Sequence, residues 1–162
     1  MTSLSSSLIA LLTVCFGMAS GIFFLLYCLE EPIYSFVLQN KANRTDLDTL
    51  IRRVLLILQQ FLRFRVPVVM VTLIICGTLG SAFRLALYGF TPLSVMVALS
   101  STFIIVYSGF LVPPAIKMFE NADLQASTND LQVALAPIVR LHRNVGFLVV
   151  VTLILHLTST IF

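Results

Sequence analysis

Charged residues are scarce in this sequence. Only 10% of its 162 residues are Asp, Glu, Lys or Arg, whereas 59% are hydrophobic. A soluble domain has about 25% charged residues, and a much smaller share cannot cover a surface that faces water. The scarcity of charge therefore excludes an ordinary soluble domain and predicts that the excess apolar surface faces lipid. The length suits one integral membrane domain, 1–162, with about four spans.

The sequence also has few residues of the kinds that build disulfide frameworks or metal sites. Its three cysteines, Cys15, Cys28 and Cys76, all lie in apolar runs and show no metal-ligand spacing. This pattern is typical of reduced thiols that pack in the interior, so we predict neither a disulfide framework nor a metal site. The sequence contains no motif of a nucleotide-binding loop, a zinc-protease helix or a serine-protease triad. Nucleic-acid binding has no support beyond the net charge of +3.

Four apolar runs are long enough to cross a bilayer, since a helix needs about 20 residues for that distance. The predicted spans cover about residues 8–29, 66–83, 93–112 and 143–162. The first run is too long for a secretory signal and has no basic residue before it, so we treat it as a permanent span. The third span is predicted to stop at Pro113 and Pro114. Asn129 or Asp130 is predicted to cap the helix that carries the fourth span.

The segments next to spans 1 and 2 are also apolar. Apolar character continues past span 1 through Pro32 to Leu38, so the helix has to tilt, bend or emerge as an amphipathic extension. Before span 2, apolar residues recur at helical spacing from Leu47 to Leu62 and form one stripe. Pro67 is predicted to kink this helix where it enters lipid. A basic face, predicted to meet lipid headgroups or a partner, comprises Arg52, Arg53, Arg63 and Arg65.

The distribution of basic residues predicts the topology. Arg84 alone lies between spans 2 and 3, whereas the other nine lie between spans 1 and 2 or between spans 3 and 4: Lys41, Arg44, Arg52, Arg53, Arg63, Arg65, Lys117, Arg140 and Arg143. Basic residues in short loops mark the cytoplasmic side. We therefore predict an all-α, four-helix transmembrane bundle with both termini on the non-cytoplasmic side and helices 1 and 2 extended at the inner face. The expected location is a plasma (inner) membrane or an equivalent energy-converting organelle membrane.

Small residues on span 1 form a predicted helix-packing face, which comprises Gly17, Ser20 and Gly21. Small residues four positions apart let a second helix approach closely. Packing against another helix of the same chain is the first interpretation, and self-association is the alternative.

Two adjacent carboxylates, Glu30 and Glu31, lie where span 1 meets the inner face. Ionisable groups at membrane depth are commonly functional. One of them could face the bundle opposite His142, Arg140 or Arg143 and act as a general base, a proton relay or a metal ligand. Alternatively, both are interfacial ions that pair with arginines such as Arg63 or Arg65. Neighbouring helical residues point about 100° apart, so both cannot face inward.

His142 and His156 are the two histidines of the chain. Their spacing of 14 residues places them about 21 Å apart and on nearly the same helix face. Similar spacing occurs between haem ligands on the helices of cytochrome b, but a second helix would have to supply matching histidines. No cofactor is therefore predicted, and a haem shared with another subunit remains the alternative. Otherwise His142 is an interfacial polar residue, and His156 forms a hydrogen bond within the bundle.

Short motifs along the chain resemble those of the anthrone-oxygenase-like family of small four-span membrane proteins. They comprise Gly17-xxx-Gly21, Glu31-Pro32, Pro67 at the start of span 2, VPPAIKMF at the end of span 3 and LHRNVGFL at the start of span 4. The chain differs from the family in having no Trp and in carrying Pro114-Ala115-Ile116 where asparagines are usual. The resemblance implies a four-helix fold, cofactor-free oxidation of a polycyclic anthrone, and a site at Glu31, His142 and Arg143.

These observations leave two predicted functions. The first is a non-catalytic structural or accessory subunit, surrounded by lipid and packed against other membrane subunits or a second copy of itself. It is favoured because the sequence shows no complete catalytic set. The second is a small membrane oxidoreductase of the anthrone-oxygenase-like type.

Overall fold

A computed structural model describes residues 2–39, 46–63, 65–120, 122–123 and 125–161. Within these ranges the chain is almost entirely helical and contains no strand. One turn of 3₁₀ helix, Glu31–Ile33, lies between the first two α-helices. The α-helices are α1 Thr2–Glu30, α2 Tyr34–Gln39, α3 Leu47–Arg63, α4 Val66–Tyr88, α5 Pro92–Glu120 and α6 Thr128–Ile161.

The four long helices, α1, α4, α5 and α6, are each long and apolar enough to cross a membrane. The prediction of an all-α chain with four long apolar helices is therefore confirmed. The sides on which the termini lie, and the membrane itself, stay predictions.

The long helices form a bundle in which each packs against two neighbours. Helix α1 contacts α4 and α6, and α5 contacts the same two helices, so α1 and α5 lie diagonally across the bundle. Helix α3 packs against α6, α4 and the 3₁₀ turn. It therefore covers the end of the bundle where α1 ends and α4 and α6 begin, called here the α3 end.

Helix α3 has the predicted apolar stripe. Ile51 and Leu55 are fully buried, and Val54 and Leu58 nearly so, whereas Arg53 is exposed. The predicted kink near Pro67 is a break between two helices, since α3 ends at Arg63, α4 begins at Val66, and Arg65 adopts a left-handed conformation with φ of 60°. Arg65 is the N-cap of α4, and Pro67 lies in the first turn of that helix. Proline fits the first turn of a helix but not its interior, so a new helix begins just before Pro67.

The close contact between α1 and α4 depends on glycine. A Cβ atom at Gly77 would lie 2.8 Å from the ring of Phe16, and one at Gly80 would lie 2.9 Å from Leu12. Both partner side chains are buried, so the two glycines provide the space that the rings and methyl groups of α1 fill. Gly146 of α6 similarly lies close to Phe23.

The predicted packing face on α1 does not make such a contact within the chain. A Cβ atom at Gly17 or Gly21 would meet nothing within 4 Å, and Ser20 is half-buried. The interpretation as an intramolecular helix contact is therefore wrong. The physical reason is that α1 turns a different stripe, which includes Leu12, Phe16 and Phe23, towards α4 and α6.

Helix α5 continues through Pro113 and Pro114 to Glu120, so the predicted stop at these prolines is wrong. A proline in a helix removes one hydrogen bond and disturbs the preceding turn. Burial of the helix segment that follows the prolines offsets that cost, because Ala115 and Phe119 are packed in the core. In a membrane, neighbouring helices commonly allow prolines inside a span.

Helix α6 begins at Thr128, and its cap is Ser127 rather than Asn129 or Asp130. The Ser127 hydroxyl accepts a hydrogen bond from the backbone N–H of Asp130 at 3.3 Å and donates one to the Asp130 carboxylate at 2.7 Å. The first of these bonds satisfies one of the free backbone N–H groups at the start of α6, as an N-cap serine does.

The three cysteines are free thiols. Cys15 is buried, whereas Cys28 and Cys76 lie on exposed helix faces. The prediction of interior packing therefore holds for Cys15 and is wrong for the other two. A lipid-facing position is as apolar as a core position, so hydropathy does not separate them.

Candidate functional site at the α3 end

A buried carboxylate–histidine pair joins α1 to α6. Oε1 of Glu30 lies 2.6 Å from Nδ1 of His142. The Glu30 side chain is fully buried, and 15% of the His142 side chain is exposed. A ring contact with Phe23, at 6.3 Å between centroids and 62° between planes, also holds the imidazole in place.

The inward position of Glu30 follows from the register of α1. The buried side chains Ala19, Phe23, Leu26 and Glu30 recur every three or four residues and so share one face. Glu31 begins the 3₁₀ turn and is exposed. The expectation that only one of the two carboxylates faces inward is confirmed. The choice of Glu31 as the site carboxylate is wrong, because the face that carries Glu30 is the one that meets α6.

The other predicted site cation, Arg143, does not join this pair. Its side chain is exposed, and its Nε donates to the Asn144 amide oxygen at 3.4 Å. Next to His142 on a helix, it points about 100° away from the imidazole. In the interfacial alternative both carboxylates pair with Arg63 or Arg65, whereas the Glu30 carboxylate contacts His142. The Arg63 side chain lies outside the described part of the chain.

Two oxygens near the pair have no hydrogen-bond partner among the described side chains, namely Oε2 of Glu30 and Oη of Tyr34. Burial, and next the charge of Glu30, raise the pKa of Tyr34 to about 12. Tyr34 starts α2 four residues beyond Glu30, close enough for the carboxylate charge to act on its phenol. Buried polar groups of this kind usually bind water or a ligand.

An apolar cleft of about 110 Å³ adjoins His142. All four long helices line it. It is bordered by Phe23 of α1, Met70 and Ile74 of α4, Ser108 and Val112 of α5, and Leu141, His142 and Val145 of α6. Polar lining atoms are few, and Oγ of Ser108 is buried without a hydrogen-bond partner among the described residues. Apolar pockets with a few convergent polar groups are typical of small-molecule sites.

Helix α3 is fastened over this end by polar contacts to the start of α6. The Arg52 guanidinium donates two hydrogen bonds of 2.9 Å to the carboxylate of Asp48, which also accepts one from Thr128 at 2.7 Å. The side-chain bonds from Arg52 and Thr128 lower the pKa of Asp48. Arg52 of the predicted basic face therefore binds Asp48 within the chain. Arg53 and Arg65 of the same predicted face are exposed.

His156 belongs to a second polar cluster at the opposite end. The Thr13 hydroxyl donates to the carbonyl of Ile9 at 2.9 Å, so it accepts from Nε2 of His156 at 3.1 Å. Nδ1 of His156 then faces the guanidinium of Arg84 at 3.5 Å. That guanidinium also donates to the Ser159 hydroxyl and carbonyl at 2.8 and 2.9 Å. The hydrogen bond predicted for His156 within the bundle is confirmed.

The two histidines therefore differ in the chemistry open to them. Both nitrogens of His156 face protein groups, whereas His142 has Nδ1 bonded to Glu30 and its side chain lines the cleft. A haem shared with another subunit would consequently need His142 Nε2. No cluster of three or more metal-ligating side chains exists among the described residues.

A carboxylate bonded to one imidazole nitrogen is an arrangement suited to proton transfer. Glu30 holds the proton on Nδ1, which leaves Nε2 as an acceptor, and its charge stabilises the imidazolium that forms when Nε2 is protonated. Because water is scarce in an apolar cleft, such interactions are stronger there than in solution.

Several site residues were not predicted from sequence, namely Tyr34, Ser108, Thr13 and Arg84. The signal for Tyr34 was its position one turn after a buried acid. Ser108 gave no signal, since serines in apolar spans commonly bond to their own helix.

Comparisons with known proteins were made by family models, by curated sequences and by solved structures. None of the three found a match to this chain.

Proposed function

We propose that this chain is an integral membrane protein that binds a small lipid-soluble molecule beside His142 and exchanges a proton with it. The observation that carries the proposal is the 2.6 Å contact between Glu30 and His142 at the wall of an apolar cleft. A buried acid at membrane depth is costly, and such residues are commonly functional.

The proposed step moves one proton. A weakly acidic O–H or C–H group of the bound molecule loses its proton to Nε2 of His142. The products are the anion of the bound molecule and an imidazolium that Glu30 stabilises through Nδ1–H. Glu30 touches only the histidine and is therefore a positioning residue, whereas His142 contacts the bound molecule.

The family resemblance gives the proposal a more specific form. An anthrone has an acidic CH2 group opposite the carbonyl in its central ring, and loss of one of those protons gives an anion that the aromatic rings and the carbonyl stabilise. The Glu30–His142 pair would supply the base for such a reaction, with Glu30 in the position that the motif suggested for Glu31.

An alkyl-substituted nitrophenol would test the proposal, because its anion absorbs visible light and its neutral form does not. At a pH below the solution pKa of the probe, we expect the anion band to appear when the probe binds purified protein in micelles. His142→Gln should remove the band, and Glu30→Gln should weaken it.

Glu31→Gln and His156→Gln are the matched controls, because they change the same residue types away from the cleft. Both should keep the band. Binding of the probe without its anion band, or a band that survives His142→Gln, would refute the proposed proton transfer.

A second candidate function is the accessory subunit. The observation that favours it is the outward position of Gly17 and Gly21, whose Cβ positions have open space around them. A flat face of small residues lets a helix of another subunit approach closely. The face is available because α4 and α6 pack on the other side of α1.

Native purification in mild detergent, with mass analysis and an absorption spectrum of the same sample, would test this function. Co-purifying subunits in fixed ratio that are lost in Gly17→Leu and Gly21→Leu would support it. A monomer would contradict it, and a haem band would identify His142 as the ligand to mutate next.

A further inference from the structure

A second apolar space, of about 260 Å³, lies between α4 and α5. It is called here the α4–α5 groove, and it is lined by Val71, Ile74, Ile75, Ile105, Ser108, Gly109, Val112 and Pro113. Val71, Ile74, Ser108 and Val112 also line the cleft beside His142. The cleft and the groove are therefore contiguous along one side of α5.

The groove opens on the outer surface of the bundle. Val71, Ile75 and Gly109 are exposed, and they lie on two of the helices that are long and apolar enough to cross a membrane. An opening at this depth faces hydrocarbon rather than water. A molecule that reaches His142 by this route has to come from the bilayer.

We infer that the cleft and the α4–α5 groove form one site, open to lipid, for an amphiphile with an uncharged hydroxyl or carbonyl head and one apolar tail. The inference rests on the proposed function and names the class of molecule that the site takes. The head lies beside His142 and Ser108, and the tail lies in the groove.

The lining determines the chemistry of the head. Ser108 borders both spaces, and its buried Oγ has no hydrogen-bond partner among the described residues, so rotation of this side chain towards the bound molecule would give the hydroxyl a partner. A head that is already a carboxylate when it enters would lie near Glu30 with no Lys or Arg among the described lining residues to pair with it, which disfavours it. An uncharged hydroxyl or carbonyl oxygen is not repelled by Glu30 and does not need a cation to pair with.

The lining also determines the tail. Apart from Ser108, the groove presents aliphatic side chains, glycine and proline. Gly109 leaves the groove open, because a Cβ atom there would meet nothing within 4 Å. A large side chain at this position would fill the tail site without disturbing the helix contacts.

A long-chain alcohol with a mid-chain diazirine would test the inference in vesicles of phosphatidylcholine. After irradiation, we expect mass spectrometry to locate the label on α4 and α5 around Val71, Ile75 and Gly109. Excess unlabelled alcohol should displace it, and the fatty acid of equal length should displace it much less.

Gly109→Trp should reduce this displaceable labelling to background, whereas Gly17→Trp, at a glycine with equally open space on α1, should leave it unchanged. Ser108→Ala should weaken binding of the alcohol about three- to tenfold, as expected for one lost hydrogen bond. Label spread evenly over the exposed helix faces, or not displaced by the alcohol, would mean ordinary contact with lipid and would overturn the inference.

The two proposals fail in different ways. Uniform labelling together with an intact nitrophenol anion band would refute the amphiphile site and leave proton transfer at His142 standing. Displaceable labelling without the anion band would refute proton transfer at His142 and leave the amphiphile site standing.

Discussion

Glu30 and His142 lie 112 positions apart in the chain, yet a carboxylate oxygen of one is 2.6 Å from an imidazole nitrogen of the other. The pair joins the end of α1 to the middle of α6 beneath the cover formed by α3. Removal of one member of a buried hydrogen-bonded pair leaves its partner unsatisfied, which is more costly than loss of an exposed contact.

Glu30→Ala is therefore expected to destabilise the protein by about 1–3 kcal/mol. Glu31→Ala, at the exposed neighbour, should change stability by less than about 0.5 kcal/mol. Unfolding in mixed micelles with increasing SDS measures both. Equal effects of the two substitutions would show that Glu30 is not held in the buried pair.

Gly77→Leu is expected to destabilise the contact between α1 and α4. The new side chain would overlap the buried ring of Phe16, and overpacking of this kind costs about 1–3 kcal/mol. Gly17→Leu is the control, since its Cβ has open space, and monomer stability should change little. The same micelle titration would contradict the packing if Gly17→Leu were the more damaging change.

Acid pH is expected to loosen the contact of α3 with the start of α6. The bonds from Arg52 and Thr128 lower the pKa of Asp48 in the folded state. Because the pKa of Asp48 is lower in the folded state, its bonds to Arg52 and Thr128 stabilise the fold at pH values above the pKa of the unfolded chain, near about 3.9. This stabilisation is lost as pH falls through the pKa of the folded state.

Hydrogen exchange of α3 and of the first turn of α6, expressed as protection factors, would measure this loosening. Asp48→Asn should remove the pH dependence and leave protection low throughout. Protection that falls with acid equally in Asp48→Asn would assign the effect to another group.

Alkaline titration is expected to show one tyrosine that ionises late. The pKa of Tyr34 is raised to about 12, first by burial and then by the charge of Glu30. A raised folded pKa means that the stabilisation is present below the unfolded value, near about 10, and is lost as pH rises towards 12.

The ultraviolet tyrosinate band, compared with that of Tyr34→Phe, would isolate this group. Glu30→Gln should move its titration to lower pH, because the carboxylate charge is gone, whereas Glu31→Gln should not. A late tyrosine that persists in Tyr34→Phe would contradict the assignment.

The sequence by itself determined the class of the protein and its helices. A low content of charge excluded a soluble surface, run lengths identified four long apolar helices, and helical spacing predicted the buried stripe of α3. These features follow from local geometry and solvation, and the structure bears out the four long apolar helices and the buried stripe of α3. The helical repeat also implied that only one of Glu30 and Glu31 faces inward.

Only the tertiary structure decided which carboxylate that is and which glycines make helix contacts. In a soluble helix, polar residues mark the outer face and so reveal the inner one. In α1 the lipid-facing residues Val14 and Met18 are as apolar as the buried Phe16 and Phe23. Hydropathy therefore does not indicate which face of α1 packs inside the bundle. That face is determined by the contacts of α1 with α4 and α6.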